Sequence, residues 1–506
     1  MEDFVWEVTG DAVRITGYRG RAEELTIPDM LGGLPVRVLG RNAFNGNRHL
    51  RSLRMGSHVV VIEPHAFFYC TGLRELSLNP GLREIGAYAF HKCPIARVLL
   101  PQSLRTLGEK SFHAMENYDD FRQEIQVEEG NPHLFTDGHA LYCREGEEVC
   151  LFAVFSAEIK AFRSFCHDVR YTVHESCTCI GRRSFANCRN LKAVTLPEGL
   201  RVIEDEAFLE CISISEIALP QSLRQIGSDA FLNTNIAAFA IPAAIEEIGE
   251  GAFAVREQWN RRRYAKNLSL NGENARYQVL DNKLLHTDAA GEKTLLADFS
   301  ADDCIRIPAG VAVIGSRAYH HSNAVTIHIP STVRHIRPGA FACCSGLKRL
   351  YMELLGERGC LYMPGAKGEY DGKPVHEQCL SCIGDTEDGW LFDFEKYDSL
   401  FPSVSDKGEK ILMAANRLKW DVRLEEKYRQ HYLQYLRRHA ADAVKTVVEL
   451  DELESLHSLA GLGIFNENNI DGLIALANRA GKSDVLSYLM QYKHSHVGMS
   501  GEDYEL

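Results

Sequence analysis

Residues 191–211 read LKAVTLPEGLRVIEDEAFLEC, and the same spacing of apolar residues returns every 22 or 23 positions along much of the chain. Here Val194 and Leu196 flank a threonine, Pro197 follows them, and Phe208 comes near the end. Such alternation is typical of a short strand with one buried face, and a proline that cannot donate to a sheet marks its end. We expect the second half to form a turn or an irregular helix that folds back over the strand.

An aromatic residue holds the same place in ten of these segments, namely Phe44, Phe67, Phe90, Phe112, Phe185, Phe208, Phe231, Phe253, Tyr319 and Phe341. One segment of this size cannot bury its own apolar side, so neighbouring segments have to stack and share a core. The spacing therefore predicts a solenoid of ten units with an aromatic column inside it. The structural core is expected to include Phe67, Phe90, Phe208, Phe231, Phe253 and Phe341.

Cysteine ends five of the segments, at Cys70, Cys93, Cys188, Cys211 and Cys344. A metal or redox ladder is one interpretation of this column, and a small buried apolar residue at each position is the other. Other units have residues there that no metal site would tolerate, namely Asn47, Met115, Thr234, Arg256 and Ser322. This variety favours the second interpretation.

The segment 82–93, LREIGAYAFHKC, joins an Ile-Gly pair to an Ala-Phe-x-x-Cys element. In these elements the chain resembles the BspA-like class of leucine-rich repeats over about residues 10–353. The resemblance implies an α+β repeat solenoid wound as a right-handed superhelix. It also implies protein binding, because members of this class are regarded as bacterial and protist surface or secreted proteins that mediate adhesion or protein contacts.

The change of pattern along the chain predicts five parts. They are cap strands at 1–24, the solenoid at 25–353, a linker at 354–404, a helical domain at 405–497 and a tail at 498–506. Two insertions, at about 115–167 and 254–301, resemble each other and are expected to form β-hairpins. Each hairpin is either a partner-binding protrusion or a structural variant of the repeat.

The C-terminal part has apolar residues at helical spacing from about residue 405 onward. Its residues 475–481 and 488–490 resemble an ankyrin-type helix pair. We expect a small helical bundle that caps the solenoid or binds a second partner.

Polar residues between the buried strand positions should point into the concave face of the solenoid, where such proteins hold their partners. The expected binding residues are Arg54, Glu75, Arg97, Arg170, Thr195, Glu216, Arg306, His328, Arg349 and Tyr351. Arginine outnumbers glutamate in this set, so an acidic or extended protein segment is one hypothesis for the ligand. The alternative is that these are ordinary solvated residues of a sheet.

Composition excludes several classes of function. A net charge of −13 over 506 residues argues against nucleic acid or an anionic membrane as the main partner. The N-terminus is acidic, and no apolar run is long enough to cross a bilayer. The expected location is therefore the cytoplasm, with fifteen reduced cysteines, and the alternative is a surface or secreted protein exported by an unconventional route.

Sequence motifs of enzymes are absent, since the chain has no GxGxxG, P-loop, GxSxG or HExxH pattern. We therefore expect a non-enzymatic scaffold without a cofactor. The types and spacing of His376, Cys379 and Cys382 are those of zinc ligands, but one CxxC without a second pair is a weak signal and favours reduced thiols in a loop. We therefore expect no metal site. The oligomeric state is left open.

Overall fold

The structure, a computed structural model, describes residues 3–112, 123–160, 168–254, 267–300, 302–320, 322, 324–354, 356–365, 369–370, 373–449 and 453–497. The tail at 498–506 lies outside these residues, as do 115–122, 161–167 and 255–266 of the two insertions. Two units divide the chain: the first is Met1–Val255 with Lys266–Asn274, and the second is Arg256–Ala265 with Ala275–Leu506.

Each repeat contributes two strands. In the repeat that begins at Leu191, the longer strand Leu191–Thr195 pairs in parallel with the next repeat, Val194 opposite Ile217. The shorter strand Val202–Ile203 also pairs in parallel, Ile203 opposite Ile226. The expectation of a turn or irregular helix in the second half is therefore wrong at these two residues. The backbone there is extended and lies beside the equivalent residues of the neighbouring repeats, with whose amide and carbonyl groups it forms hydrogen bonds.

The first unit is built from short strands and one helical turn, α1 (Ala157–Lys160). Its strands are β1 (Phe4–Thr9), β2 (Ala12–Tyr18), β3 (Glu24–Thr26), β4 (Met30–Leu31), β5 (Leu34–Leu39), β6 (Ser52–Arg54), β7 (Val61–Ile62), β8 (Glu75–Ser77), β9 (Glu84–Ile85), β10 (Arg97–Leu100), β11 (Thr106–Leu107), β12 (Glu124–Val127), β13 (Leu134–Thr136), β14 (Ala140–Glu145), β15 (Glu148–Val154), β16 (Val169–Thr172), β17 (Cys179–Ile180), β18 (Leu191–Thr195), β19 (Val202–Ile203), β20 (Glu216–Ile217), β21 (Gln225–Ile226), β22 (Ala238–Pro242), β23 (Glu247–Ile248) and β24 (Asn267–Asn271).

These strands form two kinds of ladder. The strands equivalent to Leu191–Thr195, which we call the longer strands of the repeats, make the sheets β12-β10-β8-β6-β3, β16-β18-β20 and β22-β24. The strands equivalent to Val202–Ile203, which we call the short strands of the repeats, follow antiparallel strands in the sheets β1-β2-β5-β7-β9-β11, with β4 beside β5, and β13-β14-β15-β17-β19-β21-β23. The repeats of this unit therefore stack as a β-solenoid with a sheet on each of two sides.

The second unit joins the last repeats to the helical region. Its strands are β25 (Tyr277–Leu280), β26 (Lys283–Thr287), β27 (Lys293–Asp298), β28 (Cys304–Arg306), β29 (Val311–Ile314), β30 (Thr326–Ile329), β31 (His335–Ile336), β32 (Arg349–Leu354), β33 (Glu357–Tyr362), β34 (Glu369–Tyr370) and β35 (Lys373–Pro374). Its helices are α2 (Val375–Leu380), α3 (Phe394–Ser399), α4 (Lys407–Lys419), α5 (Glu426–Arg438), α6 (Ala440–Glu449), α7 (Leu453–Gly461), α8 (Ile470–Arg479) and α9 (Ser483–Tyr492), with a 3-10 turn at Phe401–Ser403 and a π-turn at Lys493–Val497. The sheets are β25-β26-β27-β29-β31, β28-β30-β32-β33 and β34-β35.

An antiparallel hairpin begins each ladder of short strands. The second strand of the hairpin pairs in parallel with the first repeat that follows it, β2 with β5, β15 with β17 and β27 with β29. In the two insertions a third antiparallel strand, β13 or β25, extends the hairpin. Each insertion therefore starts a ladder, which is the structural variant of the repeat rather than a separate protrusion. The N-terminal strands form a hairpin of the same kind, a likeness that the sequence pattern did not reveal.

The aromatic column lies inside the two units. All ten of its rings are at most 7% exposed. Phe208 stacks between Phe185, 4.7 Å away between ring centroids, and Phe231, 5.1 Å away, with interplanar angles of 15° and 4°. Tyr319 and Phe341 stack at 5.1 Å in the second unit. The spacing between rings is regular because each turn of the solenoid has nearly the same length and carries its aromatic residue at the same position.

Glycine after the short strand lets successive turns approach. A Cβ added at Gly227 would lie 2.4 Å from the backbone nitrogen of Asp205 in the preceding repeat. The equivalent atom at Gly249 would lie 2.3 Å from the nitrogen of Ser228. The Ile-Gly pair is therefore required by contact between backbones, because no side chain fits in that space.

Residues 354–404 are not a linker. Strand β33 pairs antiparallel with β32, and Val375, Tyr397 and Leu400 are fully buried. The ring of Trp420 lies against β33, where a Cβ added at Gly359 would come within 1.7 Å of it. The Gly-rich and charged composition predicted a loop, but glycine is needed here because an indole ring covers the strand.

A buried ion pair joins the helices of the second unit. The Arg417 side chain donates from Nε to Asp398 at 2.8 Å, and both side chains are at most 1% exposed. Arg417 also donates to the carbonyl oxygens of Trp420 and Val422, and the Tyr432 hydroxyl donates to Asp398. The helices therefore share one hydrophobic core with the last repeats, and a satisfied charge pair lies within it.

Candidate functional site

The ten expected binding residues lie on longer strands but do not form one site. They belong to three separate sheets, β12-β10-β8-β6-β3, β16-β18-β20 and β28-β30-β32-β33. Seven of them are exposed, namely Arg54, Glu75, Arg97, Arg170, Thr195, Glu216 and Arg306. The other three, His328, Arg349 and Tyr351, are partly exposed. Each sheet therefore has to be considered by itself.

In the first two of these sheets, two of the three candidate arginines already have acidic partners. Arg97 pairs with Glu124 on the neighbouring strand, with Nε 2.9 Å from the carboxylate. Arg170 donates two hydrogen bonds to Glu216, at 2.8 and 3.2 Å. The carboxylates neutralise these guanidinium groups, so they offer little charge to a ligand. Only Arg54 in these sheets has no ion pair among the residues that the structure describes.

The third sheet brings a cation, an imidazole and a phenol into one row. In the register of β28, β30 and β32, Arg306 lies opposite His328, and His328 lies opposite Tyr351. The rings of His328 and Tyr351 stack with centroids 4.5 Å apart and an interplanar angle of 9°. Parallel pairing repeats the same position on each strand, which is why three residues 22 or 23 positions apart meet here.

Arg358 completes this row from β33. Its Nη2 donates to Nδ1 of His328 at 2.7 Å, and its guanidinium carbon lies 5.4 Å from the centroid of the Tyr351 ring. We call Arg306, His328, Tyr351 and Arg358 the basic-aromatic face. The sequence pattern missed Arg358, because the register that places it beside a histidine 30 positions away is set by the turn between β32 and β33.

The electrostatics of this face keep its imidazole neutral. Partial burial lowers the pKa of His328, and the positive charges of Arg306 and Arg358 lower it further. Because Nδ1 accepts a hydrogen bond, the ring proton is on Nε2. The described part of the chain gives Arg306 no ion pair, and Glu353 lies opposite Arg358 across the strands. The two guanidinium groups outnumber this one carboxylate, so the face carries net positive charge beside stacked aromatic surface.

His376, Cys379 and Cys382 are buried in the second unit. His376 is 3% exposed, and its ring nitrogens lie 2.7 Å from the carbonyl oxygen of Pro364 and 3.0 Å from that of Cys344. Burial raises the pKa of Cys379 to about 12, which keeps its thiol protonated. Cys382 donates to the carbonyl oxygen of Gln378 at 3.3 Å. In the described ranges no three histidine, cysteine or carboxylate side chains are grouped so that they could hold a metal ion.

Four of the five closing cysteines donate a hydrogen bond to a backbone carbonyl. The Cys70 thiol donates to the carbonyl oxygen of Phe44, and that of Cys211 to the carbonyl oxygen of Phe185, at 3.1 and 3.0 Å. Cys93 and Cys344 make the same bond to the aromatic residue one repeat earlier. Cysteine suits this position because it is small and apolar yet can donate one weak hydrogen bond to a buried carbonyl.

An open cleft of about 1210 Å³ lies beside α2 and α3 in the second unit. Its charged lining is mainly acidic and includes Glu377, Asp385 and Glu387, while its one arginine, Arg423, pairs with Asp388 at 3.3 Å. This charge would repel an acidic segment. The cleft is therefore not a second candidate for such a ligand.

Parallel ladders, an aromatic column and a 22- or 23-residue period define a leucine-rich-repeat solenoid. Six copies of the BspA type leucine rich repeat region match residues 37–141, 157–277 and 299–355, which is more than half of the chain. The chain belongs to this BspA-type family, and none of the curated proteins matches it significantly. No helix in the described ranges has the length and apolar character needed to cross a bilayer.

Several solved structures are similar to this chain. A leucine rich cell surface protein from Faecalibacterium prausnitzii is 21% identical, covering 69% of this chain and 74% of its own, with a TM-score of 0.31. A leucine-rich repeat protein from Bacteroides ovatus is 18% identical over 69% and 93%, with a TM-score of 0.34. The pneumococcal vaccine antigen PcpA is 17% identical over 65% and 93%, with a TM-score of 0.37.

Proposed function

We propose that this chain is a protein-binding scaffold whose basic-aromatic face holds an anionic, extended segment of a partner protein. The observation that carries the proposal is the row of Arg306, His328 and Tyr351, with Arg358 laid across it. Family membership supports binding rather than catalysis, because leucine-rich repeats generally serve as scaffolds. The partner class is protein, not nucleic acid or membrane, which the acidic net charge also favours.

The chemistry of the face explains the choice of ligand. Guanidinium groups bind carboxylates through charge-assisted hydrogen bonds, which are stronger than those between neutral groups. A stacked aromatic pair adds flat apolar surface against which the backbone of an extended segment can lie. The proton on Nε2 of His328 provides a further donor.

A titration with a labelled peptide tests this proposal. The probe is a short fluorescent peptide in which glutamate alternates with serine, and fluorescence anisotropy reports its binding to the full chain. We expect saturable binding that weakens as salt is added, since partly exposed charges are screened. A peptide with glutamine in place of glutamate should bind at least about tenfold more weakly, the loss of roughly 1.4 kcal/mol.

Charge reversal at matched positions locates the binding surface. Arg306→Glu and Arg358→Glu should each weaken binding of the acidic peptide about tenfold or more. The control is Arg170→Glu, an exposed sheet arginine whose charge Glu216 already neutralises, and it should leave binding nearly unchanged. Equal binding by the wild type and both reversed variants would overturn the assignment of this face.

An adhesin-like role at the cell surface, with binding of host or matrix proteins, is the second candidate. Membership of the BspA-type family favours it, because many members of that family are surface or secreted proteins. This role requires export of the protein from the cytoplasm. Fractionation of the native cells distinguishes the two, since a scaffold of the cytoplasm stays with the soluble extract and an adhesin appears on the surface or in the medium.

A further inference from the structure

Two thiols lie side by side where the first insertion joins the solenoid. Cys150 is on β15, the second strand of the hairpin, and Cys179 is on β17, the first parallel strand after it. The two residues are direct partners in the parallel register, and their sulfur atoms are 3.0 Å apart. Paired residues on adjacent strands have a Cα separation within the range that a disulfide spans, so closure needs an approach of only about 1 Å.

These two thiols differ from the closing cysteines of the repeats. Cys70, Cys93 and Cys211 are at most 1% exposed, and their thiols donate to backbone carbonyls. Cys150 and Cys179 are partly exposed, so a small solute can reach them. A Cβ added at Gly181 would lie 3.2 Å from the Cys150 sulfur, so glycine leaves space beside that thiol.

We propose that Cys150 and Cys179 form an oxidation site, at which a small-molecule disulfide converts the two thiols to a cross-strand disulfide. The thiolate of one cysteine attacks one sulfur of the reagent, forms a mixed disulfide and releases one thiolate. The thiolate of the other cysteine then attacks the protein sulfur of that mixed disulfide and releases the second thiolate. The two protons from the protein thiols go to the released groups, so two protein thiols are oxidised and one reagent disulfide is reduced.

Two other cysteines lie near this pair. Cys143 lies opposite Cys150 on the other hairpin strand, but burial raises the pKa of its thiol to about 12. Cys177 has its pKa raised to about 11 by burial. Because the thiolate is the reactive form, these neighbours compete poorly for the reagent.

The bond would fasten the hairpin to the first repeat that it precedes. It would close a loop from Cys150 to Cys179 and so restrict the unfolded chain more than the folded one. Oxidation is therefore expected to raise the thermal midpoint of unfolding by several degrees. In an oxidising compartment the site would be closed, and in a reducing one it would be open.

Treatment of the full chain with glutathione disulfide, followed by acid quenching and alkylation, tests the proposal. We expect the mass to fall by two hydrogen atoms before alkylation, and a peptide map to contain the Cys150–Cys179 link. Cys150→Ser should abolish the link and the rise in thermal midpoint, while the control Cys143→Ser should retain both. A glutathione adduct on Cys150 that never resolves, or a link between other cysteines, would overturn it. The peptide map of the wild type decides the matter even if a serine variant fails to fold.

Discussion

Replacement of Phe208 by alanine tests how much the aromatic column contributes to stability. The ring is fully buried and stacks on both neighbours, Phe185 at 4.7 Å and Phe231 at 5.1 Å. Removal of a buried phenylalanine costs about 3–5 kcal/mol, through lost burial and the cavity that is left. Two ring contacts, each worth about 0.5–1.5 kcal/mol, are lost together. We therefore expect a cost near the upper end of that range, about 5 kcal/mol.

Hydrogen exchange is the suitable assay, because repeat arrays can open locally before they unfold completely. The amides of β18 to β21 should exchange several thousandfold faster in Phe208→Ala, as expected for about 5 kcal/mol. Guanidinium unfolding followed by circular dichroism measures the global loss in parallel. The control Phe208→Leu keeps most of the volume and should cost no more than about 2 kcal/mol. A cost below about 1 kcal/mol for the alanine variant would refute the shared column.

Three further perturbations test other parts of the fold. Arg417→Met should cost about 3–5 kcal/mol in denaturant unfolding, because Asp398 is left buried without its partner; an unchanged midpoint would contradict this. The hydrogen bond from Arg14 lowers the pKa of Glu63, so its stabilisation is complete above the pKa of unfolded glutamate and is lost as the pH falls through the lowered folded value. Acid unfolding of Glu63→Gln should therefore vary less with pH than that of the wild type, and equal slopes would exclude the effect. Gly227→Ala should cost about 1–3 kcal/mol through collision with the backbone of the preceding repeat, and a neutral result in thermal unfolding would show that the turns can separate.

The repeat itself could be predicted from the sequence because its cause is local and periodic. Each unit carries the same residue types at the same spacing, so a pattern of 22 or 23 positions indicates stacked turns before any contact is known. The family match to the same residues confirms the class of fold.

The second ladder could not be predicted in the same way. Its strands, such as Val202–Ile203, are only two residues long and owe their extended conformation to pairing with the same two residues one turn away. A local pattern gives no sign of such a partner. The prediction of a linker at 354–404 was wrong for a related reason. Glycine at position 359 is typical of a loop, and only the position of the Trp420 indole against it explains why glycine is needed in a strand there.

The sequence predicted only part of what decides whether a residue can bind a ligand. Alternation along the strands gave the outward positions, but it could not show that Glu124 and Glu216 neutralise Arg97 and Arg170. The partner of Arg170 lies 46 positions away, two turns along the sheet. The net charge that a sheet offers to a ligand can therefore be counted only when the pairing of its strands is known.

Hydrogen exchange of the full chain with and without the glutamate–serine peptide tests the proposed binding face most directly. We predict that the peptide slows exchange at the amides of β30, β32 and β33, while those of β16 and β18 keep their free rates. Slowed exchange confined to the helices α4 to α9, or no change at any strand under saturating peptide, would contradict it.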